Sequence, residues 1–323
     1  MFKSLVPSVI VSDSQFSRLR LACETTIFLD FDYATTHKVE AHLWDAHSVI
    51  NNRYRKIVGR FKAEDKKKHV VEKRKWEKRY ADFLKTSQFF YRGYIQRLAS
   101  HFDCLSELQK IAHRLQLSTL SAEDRIHVSR ETNHRILLSC HATLLRLGDL
   151  SRYRNVLRNK DRSWVNALAY YSLANDLYPA SGTAFNQMAV ISLSEGNHLD
   201  AVYHLYRALA IEEPNPVAQG NLEIEFKKIT SEWANGTKKA LSNGSGAPTK
   251  AGNIALPLIL WFVRLHAKIY KGEEFSEHDE LENEVLSQMT VLLKEQSLEG
   301  TLDKIVLVNI AAENFAAERL RGE

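Results

Sequence analysis

YYSLANDLYPASGTAFNQMAVISLSEGNHLDAVYHLYRALA, residues Tyr170–Ala210, is the stretch that reveals the fold. Just before and within it, Ala167, Tyr171, Ala174 and Pro179 follow one another at steps of four, three and five residues. Thirty-four residues later Ala201, Leu205 and Ala208 repeat the pattern. Steps of three and four mark one face of a helix. Phe185, Met188 and Ala189 supply the facing helix, and Gly196 stands in the turn between the two. The reading is one complete helical hairpin, half of another before it, and a capping helix from about Pro216 to Trp233.

A period of thirty-four residues, with small side chains where helices touch, is that of the tetratricopeptide repeat. Glu213 stands at the usual terminal Pro, and Pro214 follows it. The helical period continues toward the N-terminus. Leu19, Cys23 and Ile27 predict a first helix, and Val39, Leu43, Ala46, Ile50, Tyr54 and Ile57 a second. A long helix is expected after Ala63, with a stripe from Tyr80 through Leu84, Tyr91, Tyr94, Ile95 and Leu98 to Phe102; thirty such residues span ~45 Å. Gly93 inside that stripe suggests a close helix contact. A shorter helix at Leu105–Leu115 and a polar loop near Ser118–Glu131 precede a helix over Asn133–Leu147, which is expected to stop at Gly148 as a C-cap. On the other side, Asn235–Asn253 has the composition of a flexible linker. Ile254–Tyr270, Glu277–Glu295 and Leu302–Leu320 then read as three more helices, with Pro257 in a first turn where it is tolerated. The last runs to Glu323 with no stop signal beyond Gly322, as in an N-terminal piece of a longer protein. The expected architecture is all-α: a helical domain over 1–233, a linker over 234–253 and a helical-hairpin region over 254–323.

Composition narrows the function. The chain has 323 residues, 44% apolar and 26% charged, enough to bury a sizeable core. No apolar run approaches the ~20 residues of a bilayer span, and no signal peptide is read. Cys23, Cys104 and Cys140 lack any C-x-x-C spacing, which fits a reducing compartment, cytoplasm or nucleus, and small buried residues rather than a zinc site. Charge is concentrated: Arg53 to Arg79 holds thirteen Lys/Arg and four acids, a net +9, leaving 31 basic and 35 acidic residues elsewhere. Lys66, Lys67, Lys68, Lys73, Arg74 and Lys75 are its centre. Such a patch attracts phosphate groups or acidic partners, unless it is simply a solvated helix face.

Motifs of nucleotide, hydrolase, kinase and zinc-protease chemistry are absent. The thirteen His are scattered; His134 and His141 share a face, with no acid or Cys completing a metal site. No enzyme, cofactor or metal is expected. Two features point to binding. GDLSRYR, Gly148–Arg154, places Arg152 beside Tyr153, a bidentate cation next to a phenol donor; pairing with Asp149 is the alternative use of Arg152. Arg53 and Arg60 lie two turns apart, with Lys56 between them. Trp76, Tyr80 and Tyr91 offer rings for base stacking, although they also follow the apolar stripe of their helix. Arg92-Gly93-Tyr94 is similar to the start of an RNP motif, which Ile95 and Gln96 break.

FFYRGYIQRLASHF (Phe89–Phe102), GDLSRYR and Tyr170–Ala210 resemble the N-terminal region of the family shared by the Est-one telomerase subunit and the SMG proteins of nonsense-mediated decay. The wording is similar to that of a filamentous-fungal member. The resemblance covers about Leu43 to Lys228. It implies a 14-3-3-like bundle with tetratricopeptide-type hairpins and C-terminal helical hairpins. It implies recognition of phosphoserine or phosphothreonine in a decay helicase in the SMG branch, or binding of telomerase RNA and single-stranded telomeric DNA in the Est-one branch. Arg152 and Tyr153 map onto the phosphate-binding Arg-Tyr of 14-3-3 proteins. The family's second cation, counted from Trp44, lands on Val49, so Arg53, Lys56 and Arg60 are the substitutes that charge and spacing suggest. Implied partners are a phosphorylated decay helicase or a similar phosphoprotein, single-stranded nucleic acid, and a homo- or heterodimer mate.

Overall fold

A computed structural model describes residues 13–63, 69–103, 106–121, 125–157, 162–232, 256–271, 278–294 and 300–322. These form α1 (Asp13–Leu29), α2 (Phe31–Thr36), α3 (Val39–Ala63), α4 (Val70–His101), α5 (Ser106–Arg114), α6 (Arg130–Val156), α7 (Val165–Leu177), α8 (Thr183–Glu195), α9 (His198–Leu209), α10 (Pro216–Glu232), α11 (Leu256–Lys271), α12 (His278–Lys294) and α13 (Leu302–Gly322). Extended pairing among the described residues is limited to two isolated bridges, Phe102 with Ile126 and Ser181 with Glu213. The fold is all-α, as the period predicts.

The chain divides into two compact units between Tyr178 and Pro179. In the first, α4 is the spine on which α3, α5 and α6 pack, and α7 packs on α6. Its stripe is the core: Leu84, Ile95 and Leu98 meet no solvent, nor do Ile136, Leu144 and Leu147 of α6. Ser129 starts α6, its hydroxyl accepting from the Thr132 N–H at 3.1 Å, an N-cap of the ordinary kind.

Gly148 does not end its helix, since α6 runs on to Val156. A Cβ on Gly148 would lie 2.3 Å from Cε1 of Tyr171, so the residue is bare to let the buried α7 ring sit against the α6 backbone. The close contact expected at Gly93 is absent, because nothing lies within 4 Å of its Cβ position.

In the second unit α8 and α9 pair as the repeat requires, with Ala184, Ala189, Ala201 and Ala208 fully buried. Gly196 turns the chain with φ +70°, the left-handed C-cap that glycine adopts without a Cβ penalty. The expected linker, 234–253, lies outside the described residues. The helices after it join the second unit: α11 packs on α9 and α10, α13 on α9, and α12 on α11.

Candidate functional site

In the first unit, α3 and α6 flank α4, whose tyrosines tie the three together. Tyr80 donates to Asn51 Oδ1 at 2.6 Å, the Tyr91 hydroxyl lies 3.2 Å from His47 Nδ1, and Tyr94 meets Ser139 at 2.9 Å. Burial pushes all three phenols up in pKa, so they remain neutral hydrogen-bonding groups. Between α3 and α6, Glu40 accepts from Ser139 at 2.7 Å and pairs with Arg146, whose guanidinium lies 5.7 Å from the Trp44 ring.

Farther along the same two helices is the predicted Arg-Tyr pair. Arg152 donates from Nη2 to Asp149 Oδ1 at 2.8 Å and from Nε to the Tyr171 hydroxyl at 3.3 Å. Tyr171 in turn donates to the same Asp149 oxygen at 2.7 Å. The bare Gly148 backbone therefore seats a ring whose hydroxyl orients both Asp149 and Arg152. Burial by itself would lower the Arg152 pKa, but the Tyr171 and Asp149 oxygens outweigh it and the guanidinium is held above its ordinary value. Its side chain is 17% exposed. The alternative use of Arg152, pairing with Asp149, is thus realised.

Tyr153 is where charge converges. The Arg152 guanidinium lies 4.8 Å from its ring centroid, and that of Arg55, from α3, lies 5.4 Å away. Burial, then Asp149, raises the Tyr153 pKa, so its hydroxyl keeps a proton to donate. Two cations and a phenol beside one carboxylate leave a net positive spot, suited to an anion. Arg55 is exposed and pairs with no carboxylate among the described residues.

The family described as "Telomerase activating protein Est1" matches residues 38–158, and the one described as "Est1 DNA/RNA binding domain" matches 167–323. The chain belongs to the Est1 family. Nonsense-mediated mRNA decay factor SMG7 of Arabidopsis thaliana is 28% identical over 222 residues, 65% of this chain and 21% of that protein. Telomere elongation protein est1 of Schizosaccharomyces pombe is 31% identical over 178 residues, 52% of this chain and 36% of that one. The chain thus spans about a fifth of the SMG7 relative's length. Among solved structures, the C. elegans SMG5-SMG7 complex aligns with a TM-score of 0.55 at 16% identity, covering 98% of this chain and 74% of that one. The structure of Est1 and Cdc13 aligns at 0.60 and 12%, covering 95% and 61%. The Est1-family fold, a 14-3-3-like helical bundle with hairpin repeats, is therefore shared.

Within this Est1-family fold the predicted site residues separate. Arg152 and Tyr153 come together. Arg53, Lys56 and Arg60 are exposed, and the α3 arginine that reaches Tyr153 is Arg55, which the sequence reading passed over. The reason is angular. At ~100° per residue, Arg55 lies about 40° from Asn51, on the flank where Asn51 takes the Tyr80 proton, whereas Arg53, Lys56 and Arg60 lie on the outer and opposite flank. Lys73 pairs with Glu77 at 3.8 Å, Arg74 and Lys75 are exposed, and Lys66, Lys67 and Lys68 lie outside the described residues. Tyr80 and Tyr91 are 2% and 1% exposed, so neither offers a face to a base. Half-buried Trp76 carries the Arg79 guanidinium 5.2 Å from its centroid. His134 and His141 both pack on the Tyr178 ring, and no group of three potential metal ligands occurs among the described residues. No described helix is long and apolar enough to cross a membrane.

Gly93 finds its place in a second surface feature. It lines an open concavity of about 450 Å³ with Leu21, Phe89 and Phe90, and Phe89 is 81% exposed.

Proposed function

We propose that this chain is a phosphoserine- or phosphothreonine-peptide-binding scaffold of nonsense-mediated mRNA decay, acting by binding rather than catalysis in the cytoplasm and nucleus. The observation that carries the reading is the meeting of Arg55 and Arg152 at Tyr153. A phosphate there gains charge-assisted hydrogen bonds from the exposed Arg55 fork of α3 and from the Arg152 N–H groups of α6 that Asp149 and Tyr171 do not take, with the Tyr153 phenol as a further donor. The SMG7 relatives support the decay context, and a phosphorylated decay helicase is the partner it implies. The apolar concavity around Phe89 and Gly93 is the surface we assign to a second family member, a reading supported by the existence of an SMG5-SMG7 complex in C. elegans.

A telomerase-type nucleic-acid-binding subunit is the second reading. The match of 167–323 to the Est1 DNA/RNA binding domain favours it, as does the basic Arg53–Arg79 segment. Titration with matched phosphorylated and unphosphorylated peptides, and with single-stranded oligonucleotides at several salt concentrations, separates the two. Preference for the phosphopeptide supports the first. Oligonucleotide binding with a steep salt slope, and no peptide preference, supports the second.

A further inference from the structure

The arginine of the Arg92-Gly93-Tyr94 run takes no part in the site above. Arg92 is half-buried on α4, where Nη1 donates to the Tyr170 hydroxyl at 3.1 Å and Nη2 to the Leu115 carbonyl at 2.7 Å. Both partners are neutral. Arg154 of α6 is exposed and donates to Gln88 Oε1 at 3.4 Å; Gln88 in turn donates to Ser151 at 2.8 Å. Arg114, at the end of α5, pairs with Asp176 at 2.7 Å, both side chains being more than half exposed. These three arginines line one concavity of about 450 Å³ with no Asp or Glu among the described residues of its wall. Among the described residues Arg92 and Arg154 pair with no carboxylate.

Holding a guanidinium half-buried against neutral oxygens leaves its charge uncompensated and its fork fixed in direction. That is preorganisation for an anion. Arg154 and Ser151 are three residues apart and share a flank of α6, whereas Arg152 and Tyr153 lie roughly half a turn around the helix. The concavity is therefore distinct from the Arg55–Tyr153 site.

We propose that this concavity is a second anion site, which takes the phosphomonoester of a phosphorylated peptide side chain. Its shape decides the class of ligand. Cations converge on one hollow instead of forming a track, and Tyr170, the one aromatic among the described residues of the wall, has its hydroxyl engaged by Arg92. A single-stranded nucleic acid needs an extended basic groove with ring faces for its bases. A phosphomonoester needs convergent forks and nearby neutral donors, which Arg92, Arg154 and Ser151 supply. Leu115 and Leu173 add an apolar wall for the neighbouring peptide.

Calorimetric titration with a short phosphoserine peptide and its unphosphorylated twin tests the assignment. The parent chain should take up two phosphopeptides. Arg154→Glu, at an exposed position where folding is undisturbed, should weaken one of the two at least tenfold and leave the Arg55–Tyr153 site intact. Arg92→Gln should do the same, but because Arg92 also holds the Leu115 carbonyl, its fold is checked by circular dichroism. Two undiminished sites in Arg154→Glu, or a single site in the parent that only Arg55→Glu removes, would overturn the proposal. Displacement of the peptide from this hollow by an equal concentration of single-stranded oligonucleotide would also overturn it. Loss of all binding in Arg154→Glu with none in Arg55→Glu would keep this site and refute the other.

Discussion

Replacing Gly148 by Ala should destabilise the first unit, although Ala is the better helix former. The intrinsic gain is ~1 kcal/mol. Against it, the new Cβ would stand 2.3–2.8 Å from three Tyr171 ring carbons, and Tyr171 is fully buried. Overpacking of that kind costs ~1–3 kcal/mol. Moving the ring also strains the 2.7 Å bond from Tyr171 to Asp149, and a hydrogen bond to a charged group contributes ~1.5–3 kcal/mol. The net loss is about 2–5 kcal/mol, a fall in melting temperature of roughly 5–15 °C for a unit of this size. Gly93→Ala is the internal control. It makes the same change in a helix, with nothing within 4 Å of the Cβ, and should gain up to ~1 kcal/mol. Thermal melts followed by circular dichroism at 222 nm measure both. A Gly148→Ala chain melting at or above the parent, or losing no more than Gly93→Ala, would show that Tyr171 does not rest on bare backbone and that the Asp149–Arg152 arrangement has another origin.

Arg152→Glu should lower stability by about 2–3 kcal/mol as well as binding, because the new carboxylate would face Asp149 in a largely buried setting; a urea melt identical to the parent's would contradict this. His47, 1% exposed, accepts from Arg20 Nε at 3.1 Å, and its pKa falls from 6.5 to about 3, through burial and then Arg20. The unfolded chain therefore binds this proton more readily, so stability is full above about pH 6.5 and declines as pH falls toward about 3, by ~2 kcal/mol at pH 5. His47→Gln should flatten that decline, and an equal slope in both chains would refute the assignment. Phe89→Glu should abolish association with an SMG5- or SMG7-type partner in size-exclusion chromatography while leaving the melting temperature unchanged; retained association would remove the Phe89–Gly93 surface from the account.

The helices were legible because their apolar periods are long: α3, α4 and the α8–α9 hairpin fall where Val39–Ile57, Tyr80–Phe102 and the thirty-four-residue repeat place them. Gly148 misled because a glycine after an apolar period signals a C-cap just as well as a close approach. What separates the two is Tyr171, a residue of another helix. The same limit hid Arg55. It and Arg53 flank Tyr54 at nearly equal angles, so the wheel of α3 is close to symmetric about its buried stripe. The symmetry is broken by residues of other helices: Tyr80, which pairs with Asn51 on the Arg55 side, and Tyr153, which Arg55 reaches. The second hollow was invisible for a related reason, since Arg92, Arg114 and Arg154 come from three separate helices. The Arg152–Tyr153 pair was readable because both residues are adjacent in one segment.

The central claim is that Arg55 and Arg152 meet an anion at Tyr153, and the affinity of Arg55→Glu for a phosphoserine peptide tests it most directly. Arg55 is exposed, so the change should leave folding intact. Loss of one charge-assisted contact of ~1.5–3 kcal/mol, with a repulsion added, predicts weakening of the Tyr153 site by tenfold or more. Arg53→Glu, of the same charge change on the other flank of α3, should weaken it much less, and the unphosphorylated peptide should bind poorly to all three chains. Equal losses in Arg53→Glu and Arg55→Glu, or an Arg55→Glu chain that binds phosphopeptide as tightly as the parent, would contradict the account.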